Sequence, residues 1–200
     1  MPFTSVKSAL KQILHAWSDG QNFLHPRFLA LHYLVLPCAA VTDWNALYGG
    51  PKGLKAGETV LTPGSGGVTS MFASQIANIG GGGVQVISTT RGAQKADRLK
   101  RDGADRVIHY REDEEWGNTA KKRSRREYGA DLIVGIGGVN TMVQSTRALA
   151  TDGQIAVIGR RAGAQSSAGG DNTGSHSPSI ATIRRVVVGS RQFGQFAKAM

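Results

Sequence analysis

Residues 59–69 read Thr-Val-Leu-Thr-Pro-Gly-Ser-Gly-Gly-Val-Thr, a short apolar strand that runs into a glycine turn. Gly64 can adopt the backbone of a tight turn without a Cβ penalty, and Gly66 and Gly67 let the backbone approach a ligand closely. A helix that begins near Val68 would present its N-terminal amides, with their partial positive charge, to an anion. The stretch therefore predicts a phosphate-binding turn between a strand and a helix.

The glycine pattern of this turn departs from Gly-x-Gly-x-x-Gly at its last position, where Thr69 stands. A lone match of this kind is weak evidence. Here, however, the strand, the turn, the helix and the next strand fall within the unit of about 30 residues that the pattern requires. Nucleotide binding is therefore favoured over a purely structural glycine turn.

Short β-branched segments alternate with helical segments from Glu58 onward, which is the pattern of a parallel sheet with crossover helices. Helices are predicted over Val68–Ile79 and Gln94–Asp102. The predicted strands are Thr59–Thr62, Val84–Thr89, Arg106–His109, Asp131–Val134, Gln154–Ile158 and Arg185–Val188. We therefore expect an α/β fold, a doubly wound, mainly parallel sheet of the Rossmann type.

The domain organisation follows from where this alternation begins. Residues 1–36 do not share it and form a divergent, irregular N-terminal segment, in which Ser8–Trp17 fits an amphipathic helix. Residues 37–200 form the predicted dinucleotide-binding domain. Within it, the Gly- and Ser-rich stretch 163–179 is expected to be a flexible surface loop.

The composition, 200 residues of which 40% are hydrophobic, is that of a globular chain. The longest apolar run, 28–41, is interrupted by His32 and Pro37 and is shorter than the 20 or so residues of a membrane span. Cys38 is the single cysteine and the five histidines lack metal-ligand spacing, so we expect no disulfide and no metal. These features favour the cytoplasm, although a basic start with no acid before Asp19 also resembles a transit peptide.

The net charge of +10 suits an anionic partner. A basic run, defined here as Lys121, Lys122, Arg123, Arg125 and Arg126, could touch nucleic-acid phosphates. No aromatic interleaving and no known binding module accompany it. A solvated helix face is the favoured interpretation, and we expect no specific nucleic-acid partner.

The end of the second predicted strand bears on which cofactor is bound. An NAD site normally places an Asp or Glu there to accept hydrogen bonds from the ribose hydroxyls. This chain instead has Thr89, Thr90 and Arg91, followed by Lys95. A guanidinium and an ammonium suit an additional phosphate, so NADPH is favoured over NADH. The alternative is that both cations are simply exposed to solvent.

Further segments follow one another in a recognisable order: Leu36–Tyr48, Leu54–Leu61, Lys95–Tyr110, Gly135–Gly138, Gly153–Gly159 and Val187–Arg191. Together with the glycine turn they resemble the cofactor-binding domain of the medium-chain dehydrogenase/reductase superfamily, the zinc-type alcohol dehydrogenase-like proteins. The resemblance is to the zinc-independent, quinone-oxidoreductase-like branch of that superfamily.

The resemblance implies cofactor contacts position by position. The pyrophosphate would be held by Gly64, Ser65, Gly66, Gly67 and Val68. The adenosine 2′-phosphate would be surrounded by Thr89, Thr90, Arg91, Lys95 and Tyr110, and the nicotinamide would lie near Thr42, Gly137, Ile158, Gly159, Gly189 and Ser190. Tyr110 is equally consistent with an aromatic that covers the core, and Thr42 with helix packing.

The resemblance also implies an NADPH-dependent oxidoreductase that transfers hydride between the nicotinamide and a carbonyl, enone or quinone. No zinc is expected. Related enzymes are often dimers, which is consistent with a homodimer. Residues 1–36 do not resemble the N-terminal catalytic domain of the family, so we expect most of that domain to be missing and assign no catalytic residue. The alternative is a catalytically silent NADPH-binding module. An S-adenosylmethionine-dependent methyltransferase ranks lower, since such enzymes usually need an acid after the second strand.

Overall fold

The computed structural model describes residues 36–64, 68–80, 82–136, 139–158 and 181–187. A π-helical turn, Leu36–Ala40, continues directly into helix α1, Val41–Tyr48. The other elements follow in chain order: β1 Thr59–Thr62, α2 Val68–Gly80, β2 Gln85–Thr90, α3 Ala93–Arg101, β3 Arg106–His109, α4 Trp116–Arg123, a 3₁₀ turn Arg125–Glu127, β4 Ala130–Gly135, α5 Val139–Ala148, β5 Leu149–Ile158 and β6 Thr182–Val186. The predicted helix Ser8–Trp17 and loop 163–179 lie outside the described residues.

The six strands form one sheet in the order β3-β2-β1-β4-β5-β6, and every neighbouring pair is parallel. The chain builds outward from β1 to β3 and then returns to place β4 on the other side of β1. The strand order therefore reverses between β1 and β4, and in open α/β sheets ligands bind outside the carboxyl ends of the strands at such a point. The predicted α/β, doubly wound fold is confirmed.

Helices cover both faces of the sheet. Successive residues of each buried strand point to opposite sides, so each strand contributes side chains to the core on both faces. Val60 of β1 belongs to one apolar cluster together with Phe72 of α2, whereas the next residue, Leu61, belongs to a second cluster with Trp116 of α4. Burial of each such side chain contributes about 1.5–3 kcal/mol. Phe72 and Ile76 both lie in the first cluster, so this face of α2 packs on the sheet.

The bounds of four strands differ from the predicted ones. β2 begins and ends one residue later, and β4 is one residue longer at each end. β5 begins at Leu149, five residues earlier than predicted, because pairing with β4 continues across a register shift at Asp152, whose φ is +65°. β6 begins at Thr182, three residues earlier than predicted, and Val188 lies outside the described residues. No helix in the described ranges is long and apolar enough to cross a bilayer.

Candidate functional site

The glycine turn begins with Gly64, directly after β1, where φ is +69°. Its amide donates a hydrogen bond of 2.9 Å to Thr89 Oγ1 on β2, so a neighbouring strand holds the first residue of the turn. No heavy atom of the described residues lies within 4 Å of the position where a Cβ would project. Residues 65–67 lie outside the described part of the chain, and the backbone of Val68 begins α2.

A buried hydroxyl network lies beneath this turn. The Thr62 and Ser88 side-chain oxygens are 2.8 Å apart, and Ser74 Oγ lies 3.3 Å from each of them. Ser74 Oγ also donates to the Ser70 carbonyl at 3.0 Å. These bonds connect the carboxyl ends of β1 and β2 to the first turns of α2, so they fix the helix start relative to both strands. Hydroxyl residues at the ends of adjacent predicted strands were the available sequence signal for this network.

The end of β2 carries the predicted 2′-phosphate residues. Thr89 faces the glycine turn, whereas Thr90 is 1% exposed and its Oγ1 has no hydrogen-bond partner among the described residues. Arg91 and Lys95 are exposed, and neither forms an ion pair within the described part of the chain. The Tyr110 amide donates to the Thr90 carbonyl at 3.1 Å, and the Lys95 amide donates to the Gly92 carbonyl at 3.3 Å, so the backbones of all five residues lie near the end of β2.

The Tyr110 ring is half-buried and packs against the apolar cluster that contains Leu61 and Trp116. This contact supports its role as an aromatic that covers the core, while its position next to Thr90 keeps it close to the predicted phosphate.

On the nicotinamide side, the structure describes two of the six predicted residues. Thr42 is buried in α1, and its hydroxyl donates back to the Cys38 carbonyl at 2.6 Å, so packing within the helix accounts for that hydroxyl. Ile158 ends β5 and is buried in the same apolar cluster as Val41. The other predicted contacts outside the described residues are Ser65, Gly66, Gly67, Gly137, Gly159, Gly189 and Ser190.

Asp43, next to Thr42, was not singled out by the sequence pattern. Its side chain is fully buried, and neither carboxyl oxygen has a well-formed hydrogen bond among the described residues. Burial raises the pKa of this carboxyl well above its usual value, and the nearby Ala73 backbone amide opposes the shift only in part. Burial therefore shifts the balance of Asp43 toward its protonated form, relative to an exposed Asp, at the contact between α1 and α2.

The basic run lies away from the glycine turn. Lys121, Lys122 and Arg123 are exposed in the last turn of α4, where the helix dipole favours cations. Arg125 lines a shallow groove of about 330 Å³ together with Gln85, Asp105 and Arg106. Gln85 and Arg106 begin β2 and β3, so this groove is at the amino edge of the sheet, opposite the predicted cofactor site.

The described side chains contain no cluster of metal ligands. No three His, Cys, Asp or Glu residues in these ranges come close enough together to hold a metal ion. Cys38 is exposed and unpaired. The described residues therefore do not fit a zinc ion.

Comparison with known proteins agrees with this architecture. Residues 69–200 match the profile of the zinc-binding dehydrogenase family. A zinc-type alcohol dehydrogenase-like protein of Schizosaccharomyces pombe is 40% identical over 125 residues, which is 62% of this chain and 35% of that protein.

Solved structures give the same result. A candidate alcohol dehydrogenase of Sinorhizobium meliloti is 32% identical with a TM-score of 0.64, over 80% of this chain and 45% of that chain. The Escherichia coli quinone oxidoreductase, solved in complex with NADPH, is 22% identical with a TM-score of 0.67, over 81% of this chain and 48% of that chain. The second likeness shows the fold alone.

The chain spans between about a third and a half of the length of these relatives. The family profile covers more than half of this chain, and the matched region contains α2 through β6 of the described sheet. This chain therefore belongs to the zinc-binding dehydrogenase family, within the medium-chain dehydrogenase/reductase superfamily.

Proposed function

We propose that this chain binds NADPH along the carboxyl edge of its sheet and presents the nicotinamide for hydride transfer with a carbonyl, enone or quinone. The observation that carries the proposal is the corner between β1 and β2. There, a left-handed Gly64 is tied to Thr89, and the two cations Arg91 and Lys95, without ion pairs in the described chain, follow β2. This combination suits a dinucleotide with an additional phosphate.

The phosphate end of the site is supported by charge and by unused hydrogen-bonding capacity. Arg91 can approach a phosphate with two parallel N–H groups, and Lys95 adds a point charge one helical turn further on. Thr90 has a buried hydroxyl without a partner in the described chain, and such groups usually mark an absent ligand or water. No carboxylate stands at the end of β2, where NAD-specific sites hold the ribose.

When bound, the nicotinamide supplies or accepts the hydride at its C4 atom, so the chain needs to position the ring and limit the access of water. Thr42 and Ile158 are buried on the nicotinamide side. Because the Thr42 hydroxyl already bonds to Cys38, we assign both residues to packing beside the ring and not to proton transfer.

The second candidate is an NADPH-binding module without turnover. One observation on the nicotinamide side favours it. Asp43, the titratable residue next to Thr42, is fully buried. A group in that state is poorly placed to exchange protons with a substrate. The described part of the chain thus supports cofactor binding more strongly than it supports catalysis.

The deciding experiment titrates NADPH and NADH into the protein, following the cofactor fluorescence, for the wild type and for Arg91→Gln. We expect Arg91→Gln to weaken NADPH binding about tenfold or more and to leave NADH binding nearly unchanged, since a charge-assisted hydrogen bond contributes about 1.5–3 kcal/mol. Arg101→Gln is the matched control, because Arg101 is an exposed cation at the other end of α3. Equal losses for both cofactors, or no binding of either, would refute the proposal.

Turnover is measured separately, as NADPH oxidation in the presence of a panel of quinones and enones. Oxidation that depends on both NADPH and the acceptor supports the oxidoreductase. Tight binding with no oxidation across the panel supports the silent module instead.

A further inference from the structure

Two unpartnered polar atoms lie side by side at the corner between β2 and β3. Thr90 and His109 are the last residues of these strands and are paired in register. Side chains of register partners on neighbouring parallel strands point to the same face of the sheet. The Thr90 hydroxyl and the His109 imidazole are therefore neighbours on one face.

Both side chains have hydrogen-bonding capacity that the described chain does not use. Thr90 Oγ1 and His109 Nδ1 are buried, and neither has a hydrogen-bond partner among the described residues. The His109 ring as a whole is only half-buried, and Nε2 is not among the buried unpartnered atoms, so this nitrogen reaches solvent. Buried polar atoms in folded proteins are nearly always paired, so this pair calls for an explanation.

The backbone around His109 is firmly held. Its carbonyl accepts hydrogen bonds from the amides of Glu112 at 3.1 Å and Asp113 at 3.0 Å, and the following residue, Tyr110, donates to the Thr90 carbonyl. Because this backbone is fixed, only the side-chain torsions of His109 set the direction of its ring. A hydrogen bond from the Thr90 hydroxyl to Nδ1 would satisfy both atoms together.

We infer that His109 is a further residue of the 2′-phosphate subsite and contributes to the choice of NADPH over NADH, an inference that rests on the proposed function. In the NADPH-bound protein, the Thr90 hydroxyl donates to His109 Nδ1. A neutral imidazole has one N–H group, so this bond places the ring proton on Nε2. The Nε2–H group then donates to an oxygen of the 2′-phosphate, next to Arg91 and Lys95. Thr90 is the positioning residue, and His109 contacts the ligand.

The test compares dissociation constants for NADPH and NADH in His109→Leu, Thr90→Val and Thr90→Ser. We expect His109→Leu to weaken NADPH binding about tenfold and to change NADH binding less than about twofold, because only NADPH has the phosphate acceptor. Thr90→Val should weaken NADPH binding in part, and Thr90→Ser, which keeps the hydroxyl, should restore it. An unchanged NADPH-to-NADH ratio in His109→Leu overturns the inference, as does an equal loss for both cofactors.

Arg91→Gln, measured in parallel, separates this inference from the proposed function. If Arg91→Gln removes the preference for NADPH and His109→Leu does not, the 2′-phosphate site stands and the role of His109 is wrong. If neither substitution changes the ratio, the 2′-phosphate site itself is wrong.

A second measurement needs no substitution. The ¹⁵N resonances of the imidazole report which ring nitrogen holds the proton. We expect the Nε2–H tautomer for His109 in the NADPH-bound wild type, with an Nε2 shift on addition of NADPH that NADH does not reproduce. A proton on Nδ1, or the same shift with both cofactors, would overturn the inference even if His109→Leu fails to fold.

Discussion

The most direct test of the glycine turn is Gly64→Ala, because the structure separates the backbone effect of this change from any steric one. Gly64 has a φ of +69°, a conformation that costs an L-residue about 1–2 kcal/mol. A Cβ there would meet no atom of the described residues within 4 Å, so no clash with them adds to that cost. Replacing glycine also restricts the unfolded chain, which offsets about 0.4–1 kcal/mol. The expected net loss in the free energy of unfolding is about 1 kcal/mol.

The effect on binding should exceed the effect on stability. If the substituted alanine relaxes toward negative φ, its amide turns away from Thr89 Oγ1 and the amides that follow lose their aim at the pyrophosphate. We expect NADPH and NADH to bind about tenfold more weakly, both to the same extent, since both contain the pyrophosphate. Urea denaturation measures the stability, and fluorescence titration measures the two affinities.

Two other glycines provide matched controls. Gly57 has a φ of +82°, and a Cβ there would meet no described atom within 4 Å. It lies in the turn that precedes β1, so Gly57→Ala should lower stability equally and leave binding unchanged. Gly53 lies outside the left-handed region, and among the described atoms its Cβ would come no closer than 3.6 Å, to the Tyr48 carbonyl oxygen, so Gly53→Ala should not lower stability. The reasoning is refuted if Gly64→Ala is as stable as Gly53→Ala, or if Gly57→Ala and Gly64→Ala weaken binding alike.

Three further predictions concern packing and pH. Asp43→Asn should flatten the pH dependence of stability toward urea. Because burial raises the folded-state pKa of Asp43, the free energy of unfolding of the wild type should fall by up to about 1.4 kcal/mol per pH unit as pH rises above about 4. Parallel curves for the wild type and the variant would contradict this. Gly117→Ala should cost about 1–3 kcal/mol in the same assay despite its helical position, because the Cβ would collide with the Gln144 carbonyl, and a gain in stability would be contrary evidence. Arg184→Met should lower thermal stability, because it removes charge-assisted bonds to Asn45 Oδ1 and the Gly49 carbonyl that tie β6 to α1; an unchanged melting temperature would count against that tie.

Much of the fold follows from local sequence because the strands of this parallel sheet are buried on both faces. Runs such as Thr59–Thr62 are apolar or β-branched throughout, and their bounds coincide with the structure. β5 was harder to bound because Asp152 and Gly153 resemble a turn, whereas long-range pairing with β4 carries the strand back to Leu149. That pairing joins segments that are distant along the chain and leaves no local signal.

The candidate site likewise has a part that local sequence predicts and a part that depends on pairing between distant segments. The order of elements is enough to place Thr89, Thr90 and Arg91 at a carboxyl edge. It does not reveal that Thr89 binds Gly64, because the two residues are 25 positions apart and meet only after β1 and β2 pair. The sequence does not single out His109 for the same reason, since its position next to Thr90 depends on the register of β2 with β3.

The two edges of the sheet use their polar groups differently, and this contrast supports a ligand at the carboxyl edge. At the amino edge, side chains satisfy the strand backbone: Asp131 accepts the Thr59 amide at 2.8 Å, and Asp105 accepts the Val86 amide at 2.7 Å. At the carboxyl edge, Thr90 and His109 keep buried polar atoms without partners among the described residues. A domain that only needed to fold would gain stability by pairing or removing these atoms. The Gln154 amide, away from this edge, is also buried without a partner among the described residues, so the exposed cations Arg91 and Lys95 beside Thr90 are what favour a binding site here.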